Sequence, residues 1–262
     1  MKIEGQDFIL SKIDSLTLDT FPRSLIILGQ EGSGRHSLIN YIREHLSLNT
    51  QEISGRLTYD TIEEINNSVY PMIYTINADD ISYKEQNSIL KFLEEPLKNA
   101  YIILICSNKD CLLPTIKNRC IVWELERYSK DILSHFCSDP AVLEIAETPG
   151  QAMAYAQYDI PEIIDYVDKI YSKLGIANLP NSLNISDMLA YKEEKDKYSI
   201  SLFNKILIAE LEKIIKKDRN PVWYKVYKVT SEYLKDSSVS TYDKRYLFEK
   251  WILSTRKILR GD

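Results

Sequence analysis

Two stretches of the chain carry residues whose types and spacing suggest chemistry. The first runs from Gly29 to Ser37 (GQEGSGRHS) and has the frame of a phosphate loop. In that motif a lysine reaches the β and γ phosphates, and the hydroxyl of the next residue binds Mg²⁺. Here Arg35 holds the lysine position and His36 holds the hydroxyl position. Arginine keeps the positive charge of the lysine, but its guanidinium is wider and planar. The imidazole of His36 cannot replace a hydroxyl as an oxygen ligand of Mg²⁺.

An acidic pair is the second requirement of an ATPase, at the end of the strand before the next helix. One carboxylate holds the metal there and the other polarises water. The chain has Ile76, Asn77 and Ala78 at that point, and Asp79 and Asp80 are expected to lie past the strand tip. Three interpretations stay open, namely a loop without nucleotide, nucleotide binding without hydrolysis, and an active ATPase. The substitutions favour the first.

The second stretch runs from Asn77 to Cys120. It is predicted to form a helix, a turn, a buried strand and a basic loop that ends in Lys117, Asn118, Arg119 and Cys120. From its residue type alone, Arg119 is a basic residue of this loop, and an ordinary surface arginine is one interpretation of it.

These stretches require a sheet to position them. Short apolar runs near residues 23–29, 50–55, 71–76, 100–106 and 121–125 predict five strands, and helical patterns lie between them. Alternating strands and helices predict a parallel sheet with helices on both faces. From Lys130 onward only helices are predicted, with a break at Pro149 and Gly150 and a loop over 175–184.

Composition narrows the class of protein. A net charge of −5 gives no global attraction to nucleic acid, so DNA contact would be local or shared with partners. The four cysteines contain no CxxC pair, which argues against zinc. We find no signal peptide pattern and no apolar run of about 20 residues, so a cytoplasmic protein with reduced thiols and no membrane contact is expected.

The residues from Asn87 to Pro96 (NSILKFLEEP) and from Leu112 to Cys120 (LLPTIKNRC) together resemble a known family. They are similar to bacterial clamp-loader subunits of the AAA+ superfamily and, more narrowly, to the δ′ subunits of DNA polymerase III. The part of the chain that carries motifs of the family covers about residues 5–157. The remaining hundred residues match only as a helical region.

The resemblance implies a subunit with a spoiled ATP site inside the DNA polymerase III holoenzyme, a DNA-directed DNA polymerase. Such a subunit has no ATPase activity and no cofactor of its own, because ATP is bound by partner subunits. It is a rigid stator in a five-subunit ring with γ/τ and δ, which loads the sliding clamp on primed DNA. The family's Ser-Arg-Cys motif, here Asn118, Arg119 and Cys120, places its arginine in a neighbouring γ/τ site.

The implied site and domains can be assigned by residue number. The vestigial phosphate loop is assigned to Gly29, Gly32, Gly34 and Arg35 and is expected to be empty, with no metal site. The domains are an AAA+ α/β domain over 1–126, a helical lid over 127–159 and a helical collar for oligomerisation over 160–262. Asn in place of Ser at 118 leaves the pose of the loop open.

Aromatic residues crowd the last helices, and some are expected at a subunit interface, where Tyr and Trp are enriched. Packing of the helices' own core is the alternative. Two other functions stay open for the chain as a whole. One is an active AAA+ ATPase subunit, similar to γ/τ or to a helicase loader, and the other is an AAA+-derived adaptor outside replication.

Overall fold

The computed structural model describes residues 3–53, 63, 65, 67, 69–94, 99–174, 199–237 and 243–261. Their contacts divide the chain into two compact units. The first comprises residues 1–137 and 146–153, and the second comprises residues 138–145 and 154–262. The division into domains at 126 and 159 stays a prediction.

The first unit contains a parallel sheet. In the described part of the chain its strands are β1 Ser24–Leu28, β2 Asn49–Ile53, β3 Met72–Asn77, β4 Ala100–Cys106 and β5 Ile121–Glu124. They lie in the order β2-β3-β4-β1-β5, and every pairing is parallel. Helices described wholly within this unit include α1 Asp7–Asp14, α2 Arg35–Leu46, α3 Tyr83–Glu94, α4 Pro114–Lys117 and α5 Lys130–Ser134.

Burial explains why the apolar runs became strands. All residues of β1 and β4 are buried, as expected for central strands of a parallel sheet that is covered on both faces. Alternate side chains of the sheet enter two separate cores. One core contains Ile26, Tyr74, Leu104 and Ile89 of α3, and the other contains Ile27, Ile73, Ile103 and Leu38 of α2. The expected parallel sheet with helices on both faces is therefore confirmed.

Helices α6 Pro140–Ile145, α8 Ile160–Leu174, α9 Ile200–Lys217, α10 Pro221–Ser237 and α11 Lys244–Arg260 belong to the second unit. Its core is aromatic. Trp251 is 1% exposed and its ring packs against Tyr171, Tyr233 and Phe248. Core packing therefore accounts for several of the crowded aromatic residues, while Tyr224 and Tyr246 are 59% and 63% exposed.

One local expectation is wrong. Pro149 and Gly150 do not break the chain but open helix α7, Pro149–Tyr155. Proline is tolerated in the first turn of a helix because its missing N–H has no intrahelical acceptor there. Much of the helical pattern predicted between β2 and β3, and the whole loop predicted over 175–184, lie outside the described residues.

The described residues include neither a membrane-spanning helix nor a metal-binding group of side chains. Among them, no helix is both long enough and apolar enough to cross a membrane. In the same part of the chain, no group of three or more His, Cys, Asp or Glu side chains is arranged to hold a metal ion.

Candidate functional site

The carboxyl ends of β1, β3 and β4 meet at a cavity of about 600 Å³ in the first unit. Ligands of open α/β sheets bind at this edge, outside the carboxyl ends of the strands. Most of the predicted phosphate loop lies here. The lining includes Gly32, Gly34, Arg35, His36, Asn77, Asp79, Asp80, Ser107, Tyr128 and Gly150. Gly29 is outside the lining and donates its N–H to the carbonyl of Cys106.

The loop has the backbone that its glycines predict. Gly32 and Gly34 have φ of +77° and +88°, in the left-handed region that glycine adopts without strain. Gly34 is the N-cap of α2, and Arg35 is the first residue of that helix. The glycines therefore adopt the conformations that the motif predicts, and the departures at Arg35 and His36 are in side chains.

Arg35 is already paired within the chain. Its Nη1 lies 3.3 Å from Oδ2 of Asp79, and the two side chains are 11% and 26% exposed. Asp79 follows Asn77, the last residue of β3, in a short 3₁₀ turn formed by Ala78–Asp80. Asp79 therefore does lie past the end of the strand, but the turn brings its carboxylate back against the loop.

The Asp79 carboxylate is held from a second side as well. The backbone N–H of Ser107 lies 3.0 Å from each of its oxygens, and the Ser107 hydroxyl lies 3.0 Å from Oδ1. Ser107 directly follows β4, which lies between β1 and β3 in the sheet. Three neighbouring strand ends thus contribute one group each to a single ion-pair cluster of Arg35, Asp79 and Ser107.

Asp80 lines the same cavity but has a different partner. Its Oδ2 accepts a hydrogen bond of 2.6 Å from the Asn77 side-chain amide, whose own oxygen accepts from the N–H of Asp79. Asn77, in the place of a metal-binding carboxylate, is thus the side chain that shapes the turn.

The start of α7 covers the tip of the loop. The N–H of Gly150 donates to the carbonyl of Gly32 over 3.0 Å, and the Thr148 hydroxyl donates to the carbonyl of Glu31 over 2.9 Å. A Cβ atom on Gly150 would lie 2.5 Å from the Gly32 Cα, so the two backbones are in direct contact. Tyr128 adds a third link, donating its hydroxyl to the carbonyl of Ser33 over 2.6 Å.

These residues do not fit a Mg²⁺-nucleotide. The cation of the loop is bound to Asp79, His36 stands where a hydroxyl is needed, and the loop tip contacts Gly150. The cavity is also lined by four acidic side chains, which are Glu4, Glu31, Asp79 and Asp80. Such a lining repels a triphosphate.

Arg119 lies in the loop between α4 and β5. Its Nη1 donates to the carbonyl of Thr115 over 2.8 Å, and its Nη2 lies 2.6 Å from Oε1 of Glu94 at the end of α3. The Arg119 side chain is 34% exposed and that of Glu94 is 50% exposed. The two motifs that carry the resemblance therefore meet in this ion pair, which the sequence analysis did not anticipate.

Asn118 is exposed and is the C-cap residue of α4, with helical backbone angles. Its N–H donates to the carbonyl of Pro114 over 3.0 Å, so the backbone at Asn118 closes the turn that presents Arg119. The following residue, Cys120, is a half-buried thiol whose pKa burial raises to about 12. Neither residue touches the cavity described above.

Cys106 and Cys111 form a pair of thiols beside the ion-pair cluster. A hydrogen bond with Cys111 and burial raise the pKa of the fully buried Cys106 thiol far above its usual range. The Cys111 Sγ lies 2.8 Å from the carbonyl of Asn108 and 3.5 Å from Oδ1 of Asp79. Both thiols therefore help to pack the ends of β4 and the turn after it.

The fold and the site together define an α/β protein with a phosphate-loop turn whose arginine is paired within the chain. Comparison with known proteins identifies the relatives of this chain. Residues 47–129 match the sequence model of the family described as "DNA polymerase III, delta subunit". The δ′ subunit of DNA polymerase III from Haemophilus influenzae is 29% identical over 104 residues, which are 36% of this chain and 32% of that protein.

The γ subunit of DNA polymerase III from Buchnera aphidicola is 27% identical over 178 residues, covering 63% of this chain and 49% of that protein. The chain thus spans about a third and about half the length of these two relatives. The resemblance to DNA polymerase III subunits of the δ′ and γ type is therefore confirmed.

Solved structures with a similar fold include two from Thermotoga maritima. A DNA polymerase III γ subunit-related protein is 14% identical, with a TM-score of 0.47, and 98% of this chain covers 100% of that chain. The RuvB Holliday junction branch migration motor is 16% identical, with a TM-score of 0.47, and 81% of this chain covers 76% of that chain. Likenesses this distant carry no conclusion about function.

Proposed function

We propose that this chain is a δ′-type, non-hydrolysing subunit of a DNA polymerase III clamp loader in the cytoplasm. In this role it is a stator beside γ/τ and δ subunits in a five-membered ring that opens the sliding clamp and places it on primed DNA. The relatives named δ′ and γ support the assembly, and the internal pairing of Arg35 supports δ′ over γ.

The Arg35–Asp79 pair is the observation that carries this proposal. An active γ-type site needs a free cation for the β and γ phosphates, a hydroxyl for Mg²⁺ and a carboxylate to hold that ion. Here the cation and the nearest carboxylate neutralise one another over 3.3 Å. A chain arranged in this way holds no nucleotide of its own and depends on its partners for ATP.

Arg119 supports the second part of the proposal, an arginine finger that acts on a neighbouring γ/τ site. Its side chain is one-third exposed, and Glu94, the carboxylate that pairs with it, is exposed. Exposed ion pairs of this kind contribute about 0–1 kcal/mol, so Arg119 can exchange Glu94 for a phosphate at small cost. Asn118, which closes the turn before it, holds the finger in place.

Isolation of the tagged chain from its own cells tests the assembly. We expect γ/τ and δ subunits to co-purify with it, because a stator contacts neighbours on both sides of its place in the ring. Recovery with a set of proteins outside replication would support an adaptor instead. Recovery of the chain alone under low-salt conditions would contradict the proposal.

A further inference from the structure

In the cluster of Arg35, Asp79 and Ser107, the carboxylate of Asp79 takes the place that a bound phosphate would take. A guanidinium, a backbone N–H and a hydroxyl are the groups with which proteins bind phosphate oxygens. In this chain all three converge on the two oxygens of Asp79, at 3.0–3.3 Å. The carboxylate thus satisfies the donors that a phosphate would otherwise meet.

The pair is also sheltered from water. Arg35 is only 11% exposed, although it sits at the first position of α2 and lines a cavity of about 600 Å³. A charge-assisted hydrogen bond is stronger in such a place than on an open surface. An incoming anion would have to displace Asp79 and leave its carboxylate facing Ser107 without its arginine.

We propose that Asp79 is a built-in anion that occupies the arginine of the phosphate loop and thereby excludes polyphosphates from this cavity. The proposed block is one side chain beside a loop that keeps its two left-handed glycines. This inference concerns the chain by itself and does not depend on the proposed partners. It names a specificity residue that the phosphate-loop motif does not contain.

Asp80 provides a matched control. It lines the same cavity and carries the same charge, but its carboxylate accepts from Asn77 rather than from Arg35. Asp79→Asn and Asp80→Asn therefore change the charge of the cavity equally. Only Asp79→Asn releases the guanidinium of Arg35.

The test is calorimetric titration of the full chain with sodium tripolyphosphate, without Mg²⁺ and at low salt. We expect Asp79→Asn to bind about 10-fold or more tightly than Asp80→Asn and the unchanged protein, which is the weight of one charge-assisted hydrogen bond. The double variant with Arg35→Ala and Asp79→Asn should lose this increase in affinity for tripolyphosphate. Thermal unfolding of each variant shows whether it is folded. If Asp79→Asn is unfolded, Asp79→Ser replaces it, because serine keeps a hydroxyl toward Ser107.

Equal binding by Asp79→Asn and Asp80→Asn would mean that overall charge alone keeps anions out, and would overturn the proposal. So would tight binding of tripolyphosphate by the unchanged protein that is lost in Arg35→Ala. The first result leaves the proposed place in a clamp loader untouched, because it concerns only how anions are kept out. The second would also contradict the proposed lack of a nucleotide site in this chain.

Discussion

Replacing Arg119 with alanine should lower ATP hydrolysis at the neighbouring γ/τ site that it serves by about 10³-fold or more, the usual contribution of an arginine finger in trans. The reason is electrostatic, because the guanidinium stabilises charge on the phosphoryl group in the transition state. Single-turnover hydrolysis in the assembled complex, with clamp and primed DNA present, measures this effect. A fraction of the bound ATP, corresponding to the one affected site, should remain unhydrolysed.

Three controls separate this role from a structural one. Arg119→Lys keeps the charge but loses the planar fork, so it should recover only part of the rate. Lys117→Ala removes a nearby cation that donates to the carbonyl of Lys109 and should leave the rate unchanged. Glu94→Gln removes the intramolecular partner of Arg119 and should not slow hydrolysis.

The complex should still assemble with Arg119→Ala, since the side chain contributes one exposed ion pair to the fold. Normal stimulated hydrolysis in an assembled Arg119→Ala complex would contradict the finger role. Loss of assembly would mean that Arg119 is an interface residue instead.

Replacing Trp251 with alanine should lower the free energy of unfolding of the second unit by about 3–5 kcal/mol. The indole is 1% exposed, stacks on Phe248 with ring centroids 5.2 Å apart, and donates its N–H to the Thr230 hydroxyl over 2.9 Å. Removing it creates a large cavity and leaves a buried hydroxyl with one fewer partner. Urea unfolding followed by far-ultraviolet circular dichroism measures the loss.

Tyr246 lies on the same helix, α11, and is the matched control. Its side chain is 63% exposed, so Tyr246→Ala should change stability by less than about 0.5 kcal/mol. If the helical region is the oligomerisation domain, Tyr246→Ala and Tyr224→Ala can weaken assembly while folding is kept. A loss below about 1 kcal/mol for Trp251→Ala would contradict the packing described for this unit.

The strands were predictable because burial on both faces requires continuous apolar runs. The run at Ala100–Cys106 has seven buried residues in succession, which is typical of a central strand. The turn of the phosphate loop was predictable for a similar reason, since Gly32 and Gly34 mark positions with positive φ. In both cases a local property of the sequence determines the backbone.

Asp79 could not be found in the same way. Its role depends on a 3₁₀ turn after β3, on the order of the strands and on a hydroxyl that follows β4, which are distant in sequence. An available signal was Asn77, because an Asn before Ala-Asp-Asp favours a tight turn that folds the next carboxylates back. The Arg119–Glu94 pair was hidden for the same reason, since it joins two motifs 25 residues apart.

The start of α7 was predicted wrongly from the sequence for a different reason. Pro149 and Gly150 favour a break when they are taken as a pair, but a proline in the first turn also begins helices. The contact between Gly150 and Gly32 explains why a glycine is placed there, since a side chain would collide with the loop. That contact joins residues 118 positions apart and is visible only in the folded chain.

We propose that this chain hydrolyses no ATP and serves a neighbour's site instead. The most direct measurement is ATP hydrolysis by a complex in which every γ/τ subunit has lost its phosphate-loop lysine, so that any turnover must come from this chain. Hydrolysis by this complex should be no faster than the background without enzyme. Turnover that persists in this complex and disappears when Arg35 is replaced with alanine would contradict it.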